Sequence, residues 1–441
     1  MKVTFRGGVH PAHESKLPTC AVPVRDFVAD KVRIVMNMNI GAPSQPCVQA
    51  GDSVRIGQII GEPIGGLGIP VHASVSGVVE SVEPIEHIGG ARPMCVTILN
   101  DHKDEWVELH PLGSVEEVDP ALIIPAIKAA GICGMGGASF PTHVKLSLRP
   151  DQKCETIIAN GAECETHLTC DHRLMLEEGE RIVNGLRAAM RALNVKNGVI
   201  AIEDNKPDAI AHMEKLCAGR EGVRVQIMKT KYPQGGEKQL IEAVTGRQVP
   251  SGGLPIQAGA VVLNVSTCAA IADAVIEGKP LVQRMTTITG CVKTPSNLRM
   301  RVGTIAEDAI NACGGFSEDP GKITFGGMMT GLTLPGLGIP TAKATNGIVV
   351  LNRAQSAEVE ESACIRCGRC AEACPIGLQP YAIRQATDKG DLEKCKALHI
   401  MDCVLCGCCS YICPSMRTLT PCFKNTKGEI AALAKKGGAG K

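Results

Sequence analysis

Two sets of cysteines near the C-terminal end constrain this chain more than any other feature. Each set has four members and is followed by proline: Cys364, Cys367, Cys370 and Cys374, then Cys403, Cys406, Cys409 and Cys413. In the spacing C-x2-C-x2-C-x3-C-P, three thiolates on one tight loop reach three irons of a [4Fe–4S] cube, and the fourth points to a second cube. The sequence therefore predicts two [4Fe–4S] clusters and a role in moving electrons.

A pair of zinc sites is the alternative for these cysteines. Four-cysteine zinc sites usually have two C-x2-C knuckles separated by a longer loop, and neither run has that form. The chain has 22 cysteines, and its first residues do not form the charged and apolar regions of a secretion signal. Clustered cysteines in a cytosolic protein act as metal ligands or redox thiols, and the fourteen outside the runs are expected to be small buried side chains.

The composition excludes several classes of function. The 46 basic and 45 acidic residues almost cancel, and aromatic residues make up 2% of the chain. Nucleic-acid binding is therefore not expected, because it needs a basic surface or aromatic stacking platforms. The best apolar stretch, 258–276, is interrupted by Asn264 and Asp273. The sequence predicts a cytoplasmic protein that contacts a membrane only through partner subunits.

The region 32–98 alternates short apolar strands with glycine turns, which predicts a small β domain. It resembles the sandwich domains that carry biotin or lipoate. Those domains need a lysine at a hairpin tip, and this tip reads Gly65-Gly66-Leu67-Gly68. A structural β module is therefore the favoured interpretation.

From about 118 to 276 strands and helices alternate, which is typical of an α/β sheet. The predicted strands are 156–160, 198–202, 223–227 and 260–264. Before them lies a glycine loop, 131–142, whose N–H groups could hold a phosphate; a structural turn is the alternative. Polar blocks follow two strands, at 160–165 and 232–239. Ligands of α/β sheets bind at the carboxyl ends of parallel strands, so these blocks are candidate binding segments.

These blocks together resemble the FMN- and NADH-binding subunit of respiratory complex I. The resemblance is closer to the C subunit of the Rnf electron-transport complex, because it also includes the opening Phe5-Arg6-Gly7-Gly8-Val9-His10-Pro11, the segment 232–241 and the paired cysteine runs. It covers nearly the whole chain. Two residues depart from the pattern: Ser139 stands where a third glycine is usual, and Leu263 replaces an Asn of the complex I subunit.

The resemblance implies a set of cofactor-binding residues. Those expected to contact FMN or the nicotinamide nucleotide are Gly134, Gly136, Gly137, Phe140, Lys145, Asn160, Glu163, Glu165, Gly235, Gly236, Glu237, Asn264 and Thr267. For three of them, Glu163, Asn264 and Thr267, a helix cap or turn hydrogen bond is an equal alternative. No protein side chain is expected to be catalytic, because the flavin carries out the hydride transfer.

The predicted fold is multidomain α/β with small β and α+β domains. The expected units are an N-terminal barrel-sandwich-like β domain (1–112), a Rossmann-like FMN/NADH domain (113–278), a β-grasp-like domain with a glycine-rich connection (279–348), a ferredoxin-like helical domain with two clusters (349–424) and a flexible tail (425–441). In the ferredoxin-like arrangement Cys413 completes the cluster of the first run and Cys374 that of the second. Thr304 and Glu307 have the spacing of a capping box.

The predicted function follows from the resemblance. The chain is expected to be the peripheral NAD(H)-reactive subunit of an ion-translocating ferredoxin:NAD oxidoreductase, bound to the cytoplasmic side of the cell membrane through other subunits. These would include an iron–sulfur subunit that exchanges electrons with ferredoxin. The expected cofactors are FMN, NAD(H) and two [4Fe–4S] clusters. The alternative is a soluble NADH-dependent carrier that delivers electrons to a partner such as proline reductase.

Overall fold

The N-terminal part of the chain forms two small antiparallel sheets. The computed structural model describes residues 2–12 and 14–438. The first elements are α1 (Leu17–Cys20), β1 (Arg25–Phe27), β2 (Lys31–Val35), β3 (Gln45–Pro46), β4 (Ser53–Val54), β5 (Ile59–Glu62), β6 (Val71–His72), β7 (Gly77–Pro84) and β8 (Met94–Asn100). The strand orders are β2-β8-β7-β4 and β3-β5-β6. Alternating residues such as Val32, Ile34 and Ile98 point into the core that the two sheets enclose.

The central part of the chain is a parallel sheet covered by helices. Its elements are α2 (Pro120–Ala129), α3 (Thr142–Leu146), β9 (Thr156–Gly161), α4 (Cys170–Glu177), α5 (Gly179–Ala192), β10 (Gly198–Glu203), α6 (Pro207–Cys217), β11 (Val223–Met228), α7 (Glu237–Thr245), β12 (Ala260–Asn264) and α8 (Val265–Ala272). The strand order is β11-β10-β9-β12, all parallel. The chain passes from β9 towards β10 on one side and places β12 on the other, so a topological switch point lies between β9 and β12.

Helices α5 and α8 cover one face of this sheet at close range. The buried side of α5 carries Ile182, Leu186 and Met190 at helical spacing. A side chain at Gly185 would place its Cβ 1.7 Å from the backbone oxygen of Cys268, in α8. Glycine at this position therefore allows the two backbones to approach each other.

A six-stranded mixed sheet forms the next unit. Its elements are β13 (Gln283–Gly290), β14 (Ser296–Arg301), α9 (Ala306–Ala312), β15 (Pro320–Phe325), β16 (Leu332–Thr333) and β17 (Gly347–Asn352), and the order is β1-β14-β13-β17-β15-β16. Two predicted boundaries need correction. β1, assigned to the N-terminal domain, pairs with β14, and the boundary at 348 falls inside β17. In both cases a strand pairs with a distant part of the chain, and this pairing determines the unit to which the strand belongs.

The C-terminal part is helical. Its helices are α10 (Arg369–Glu372), α11 (Pro380–Asp388), α12 (Leu392–Ala397), α13 (Cys408–Tyr411) and α14 (Leu419–Gly438). The predicted flexible tail from 425 is wrong for the residues up to 438, because α14 continues through them. Ile430 packs in the same core as Phe423 and Ile383, and Thr426 is buried. The last three residues of the predicted tail lie outside the described residues.

Helix α9 begins differently from the prediction. The Thr304 hydroxyl donates to the carbonyl of Arg301 at 2.7 Å, and the helix starts after Ile305 without a side-chain cap. The capping box of Thr304 and Glu307 is therefore wrong, because a turn bond uses the hydroxyl. Among the residues described here, no helix is both long enough and apolar enough to cross a membrane.

Candidate flavin and iron–sulfur sites

The candidate flavin site lies at the carboxyl ends of β9 and β12. Asn160 and Asn264 are direct partners in the pairing of these strands, so their side chains start from adjacent positions at the switch point. The glycine loop crosses above them. The N–H of Met135 donates to the Thr267 hydroxyl at 3.1 Å. A Cβ at Gly136 would lie 3.0 Å from the Asn264 side chain.

The glycine loop is closed by its own backbone and remains open on one side. The N–H of Gly134 donates to the carbonyl of Phe140 at 2.8 Å. Ser139 has φ of +53°, the left-handed conformation that glycine adopts more easily, so the loop keeps its shape without the third glycine of the pattern. A Cβ at Gly137 would meet no atom within 4 Å. This arrangement leaves a free backbone surface beside the strand ends.

The second wall of the site is the segment before α7. The Asn160 amide donates to the carbonyl of Gly235 at 2.8 Å, and a Cβ at Gly235 would lie 3.3 Å from the Cys164 sulfur. Gly236 precedes the first turn of α7, which Glu237 opens. The Lys145 ammonium contacts the Glu237 carboxylate at 2.6 Å and the carbonyl of Val262 at 2.9 Å. The predicted residues from four separate segments are thus adjacent.

Three predicted contact residues use their side chains in hydrogen bonds to backbone N–H groups of the protein. The Glu163 carboxylate accepts from the N–H groups of Asp171 at 2.7 Å and His172 at 3.2 Å, at the start of α4. Asn264 caps α8, because its Oδ1 accepts from the N–H of Ser266 at 2.8 Å. The Thr267 hydroxyl accepts from the glycine loop, as described above. The cap alternative is therefore realised at Glu163 and Asn264, whereas the Thr267 hydroxyl bonds a distant loop and forms neither a cap nor a turn.

Glu165 connects the flavin site to the glycine-rich segment before β17. Its carboxylate accepts from the N–H of Met329 at 3.1 Å and from the Thr330 hydroxyl. Burial raises the pKa of this carboxyl group, and these hydrogen bonds oppose the shift. The side chain predicted to bind nucleotide thus also holds 329–330 at the edge of the site.

Among the described residues, four buried cations support the loops of the site, and sequence reasoning missed all of them. Each ammonium or guanidinium group donates to backbone carbonyls: Lys16 to Glu163 and Leu168, Lys206 to Ala162, Lys343 to Gly131 and Pro70, and Arg284 to Met135 and Lys343. The exposed fraction of these residues is 8%, 2%, 1% and 7%. Burial lowers the pKa of Lys343 to about 8. Lysine and arginine are rarely so buried unless they are paired, so these contacts place positive charge directly behind the loops.

This arrangement fits an FMN. The open backbone at Gly137 and the close approach at Gly136 leave room for a flat ring or a phosphate where a side chain would block it. N–H groups of a glycine loop and the buried cations behind it favour an anion. Asp171 is a further polar residue of this site that sequence reasoning missed. Its carboxylate accepts from Asn264 and from the Ser266 hydroxyl, both at 2.7 Å, and so fixes the Asn264 amide.

The two cysteine runs lie in different surroundings. Cys364 and Cys367 of the first run are exposed, as is Ile365 between them, whereas Cys409 of the second run is buried. The second run packs against the flavin domain. Its Cys406 accepts a hydrogen bond at its carbonyl from the Tyr232 hydroxyl, at 2.8 Å.

The fourth cysteine of each run lies near the other run. Burial raises the pKa of the Cys370 thiol, and the nearby Cys413 adds to this shift. Burial likewise raises the pKa of Cys403 and Cys409, and Cys374 contributes to both shifts. Cys413 is thus near the first run and Cys374 near the second. Eight thiols in these two groups fit two [4Fe–4S] clusters with exchanged fourth ligands.

Cys408 lies beside the second-run cysteines and also contacts the flavin domain. Its sulfur donates to the carbonyl of Tyr232 at 3.8 Å, and it is fully buried. A hydrogen bond with Cys406 and burial raise the pKa of the Cys408 thiol. Its hydrogen bond to the Tyr232 carbonyl and its complete burial give Cys408 a packing role between the second run and the flavin domain.

The fold and these sites define an electron-transfer flavoprotein with iron–sulfur clusters, and the family comparisons agree. Residues 127–273 match the Nuo51 FMN-binding domain and residues 3–103 match the RnfC barrel sandwich hybrid domain. Residues 285–333 match the SLBB domain and residues 357–378 match the 4Fe-4S binding domain. These matches confirm that the chain contains an FMN-binding domain and a 4Fe-4S binding domain.

Relatives match over almost the whole chain. The C subunit of the Na(+)-translocating ferredoxin:NAD(+) oxidoreductase complex of Acetobacterium woodii is 45% identical, over 98% of this chain and 98% of the relative. The C subunit of the proton-translocating ferredoxin:NAD(+) oxidoreductase complex of Clostridium ljungdahlii is 47% identical, over 86% of this chain and 83% of the relative. The chain therefore belongs to the family of C subunits of ion-translocating oxidoreductase complexes, and the predicted family is confirmed.

A solved structure shows a more distant likeness. An NAD+-reducing [NiFe]-hydrogenase in the H2-reduced state is 19% identical with a TM-score of 0.49, over 73% of this chain and 63% of that chain.

Proposed function

We propose that this chain is the NAD(H)-reactive subunit of a membrane-bound, ion-translocating ferredoxin:NAD oxidoreductase. It passes electrons between NAD(H), FMN and two [4Fe–4S] clusters. The observation that carries the proposal is the direct contact between the two sites: Tyr232, at the edge of the flavin site, donates to the carbonyl of the cluster ligand Cys406. Such contact suits electron transfer within one chain.

The residues of the flavin site would bind FMN and the nicotinamide nucleotide and orient them. FMN, when bound, supplies the exchange between a hydride and single electrons. The glycine loop residues 134–137 would hold the flavin on one side, and Asn160 and Gly235 would border it on the other. Lys145 and Glu237, joined at 2.6 Å, are positioned to contact the nucleotide, together with Phe140. No residue of the chain has to move a proton in this scheme.

The order of the clusters follows from burial. The cluster of Cys403, Cys406, Cys409 and Cys374 lies on the flavin side. The cluster of Cys364, Cys367, Cys370 and Cys413 lies at the surface, where the exposed fraction of Ile365 is 68% and that of Met416 is 53%. Cys403, Cys406, Cys409 and Cys374 would hold the cluster that accepts electrons from the flavin. Cys364, Cys367, Cys370 and Cys413 would hold the cluster that exchanges electrons with an iron–sulfur partner subunit.

Anaerobic reaction with NADH tests the function. The purified full chain is expected to contain about eight iron atoms, for two [4Fe–4S] clusters, and one flavin that acid releases as FMN. NADH is expected to bleach the flavin absorbance and then that of the clusters. Recovery of FAD, or flavin bleaching without any cluster reduction, would refute the proposal.

The proposed setting is the cytoplasmic face of the membrane, reached through partner subunits. The near-complete match to the C subunits favours this setting over a soluble carrier for proline reductase. Native membranes are expected to retain the chain at low salt and to release it with chaotrope in the absence of detergent. Quantitative recovery in the soluble fraction at low salt would favour the soluble carrier.

A further inference from the structure

The segment 3–9, called the N-terminal strap below, extends along the edge of the flavin domain. Val3 forms a parallel bridge with Met228 at the edge strand β11, and the N–H of Lys229 donates to the carbonyl of Val3 at 2.9 Å. At the other end Val9 and Tyr232 exchange two backbone hydrogen bonds, at 2.8 and 2.9 Å. The strap is therefore fixed to the flavin domain at both ends.

Side chains add to this attachment. Phe5 is buried, with 4% exposed, and the Lys231 ammonium lies 4.5 Å from the centre of its ring. The same ammonium donates to the carbonyl of Phe5 at 3.0 Å. The Thr4 hydroxyl donates to the Gln234 side chain at 3.0 Å. The strap thus follows the segment 228–234, which leads into the second wall of the flavin site.

The middle of the strap touches the cluster domain. The N–H of Gly8 donates to the carbonyl of Ala373 at 2.9 Å, directly before the cluster ligand Cys374. A Cβ at Gly7 would lie 2.7 Å from the carbonyl oxygen of Cys374, and one at Gly8 would lie 2.5 Å from that of Tyr232. Both glycines have φ near +80°. Because neither glycine has a side chain, the strap fits between the backbone at Cys374 and the backbone at Tyr232.

An apolar cluster lies at the same junction. Val9, Tyr232, Ala373 and Cys408 are buried together, and Cys406 packs against them. The N-terminal strap and the flavin domain therefore pack here against both loops that carry second-run ligands, the loop of Cys374 and the loop of Cys406. The hydrogen bonds of Asp402 to Ser251 and Gly252 also join the two domains, but at exposed positions.

We propose that the N-terminal strap is a positioning element that holds the second-run cluster at the flavin site. Gly7 and Gly8 set the separation between the Cys374 loop and Tyr232, and electron transfer from flavin to cluster depends on that separation. This inference rests on the proposed function. It also assigns a role to the opening motif Phe5-Arg6-Gly7-Gly8, which the flavin and cluster sites leave unexplained.

Substitution of Gly7 by Ala in the full, cofactor-loaded chain tests the proposal. The methyl group is expected to displace the Cys374 loop. NADH-dependent reduction of ferricyanide, which takes electrons from the flavin, should stay near the wild-type rate, while bleaching of the clusters should slow several-fold. Hydrogen exchange, which does not depend on turnover, should be faster at the amides of 373–378.

Gly90→Ala is the matched control. Gly90 has φ of +75°, close to the +78° of Gly7, but a Cβ there would meet no atom within 4 Å. This variant should match the wild type in all three measurements. If Gly7→Ala does not accumulate with full iron and FMN, Phe5→Leu replaces it, because this substitution loosens the strap without a clash. The expected result is the same: ferricyanide reduction near the wild-type rate and slower bleaching of the clusters.

The outcomes separate the two proposals. Wild-type chain whose clusters NADH does not reduce would refute the proposed function. With wild-type reduction intact, the strap proposal is overturned if the strap variant bleaches its clusters at the wild-type rate. Equal losses of ferricyanide and cluster reduction would also overturn it, since they would indicate a damaged flavin site.

Discussion

Replacement of Cys374 by Ser is expected to remove the cluster of the second cysteine run, although Cys374 belongs to the first run in sequence. The reason is the exchange of fourth ligands: Cys374 lies near Cys403 and Cys409, and Cys413 lies near Cys370. A serine hydroxyl is a poor replacement for a thiolate at an iron site. We expect the iron content to fall from about eight to about four atoms per chain, because one of two [4Fe–4S] clusters is lost.

Paramagnetic resonance of the reduced protein checks which cluster is lost. Two reference variants assign the signals, since Cys364→Ser should remove the first-run cluster and Cys406→Ser the second-run cluster. The spectrum of Cys374→Ser should match that of Cys406→Ser. Cys408→Ser is the control and should keep both signals and all the iron. A Cys374→Ser spectrum that matches Cys364→Ser would show that each run binds its own cube.

The same loss should stop electron flow beyond the flavin. The second-run cluster lies between the flavin site and the exposed first-run cluster in the proposed order. Cys374→Ser should therefore keep NADH:ferricyanide activity and lose reduction of the remaining cluster by NADH. Rapid reduction of that cluster by NADH would place the first-run cluster next to the flavin instead.

The sequence predicts well what depends on local pattern. The four parallel strands appear where short apolar runs end in polar blocks, because buried strands and their carboxyl ends have a characteristic composition. The pairing of Asn160 with Asn264 could be expected only in outline, since it depends on strand order. That order brings residues about a hundred positions apart into register.

The buried cations show where local pattern carries no information. Lys206 stands beside Asn205 and Pro207, as a solvated charge at the start of a helix would. Its burial is decided by the loop at Ala162 and by Glu203, which fold over it. Lys16 and Lys343 reach the site from 147 and 212 positions away. Isolated lysines of this kind cannot be distinguished from surface lysines in a single sequence.

The errors in the predicted boundaries have a related cause. The residues after 425 contain Ala, Lys and Gly, which is a composition typical of a tail. Ile430 and Thr426 nevertheless bury one face of α14 against the cluster domain. A few buried contacts are enough to extend a helix when a core is already present. Tertiary packing, and not composition, therefore determines that these residues continue α14.

The Lys206→Met substitution is expected to destabilise the flavin domain strongly. The ammonium donates to the carbonyl of Ala162 at 2.7 Å and to the Asn205 side chain at 2.9 Å, and it lies 3.4 Å from the Glu203 carboxylate. Glu203 is 1% exposed, and burial raises the pKa of its carboxyl group. Removal of one partner from a buried ion pair costs about 3–5 kcal/mol, because the other charge is left uncompensated.

Denaturant titration, followed by flavin release and by circular dichroism, measures this cost against two matched variants. Lys215→Met changes an exposed lysine of α6, the helix that begins directly after Lys206, and should alter the free energy of unfolding by no more than about 0.5 kcal/mol. The double variant Glu203→Gln/Lys206→Met should recover part of the lost stability, because it removes the unpaired carboxylate as well. It should still release FMN more readily than the wild type, since the ammonium no longer holds the loop at Ala162. If Lys206→Met is as stable as Lys215→Met, the buried ammonium does not support the flavin site.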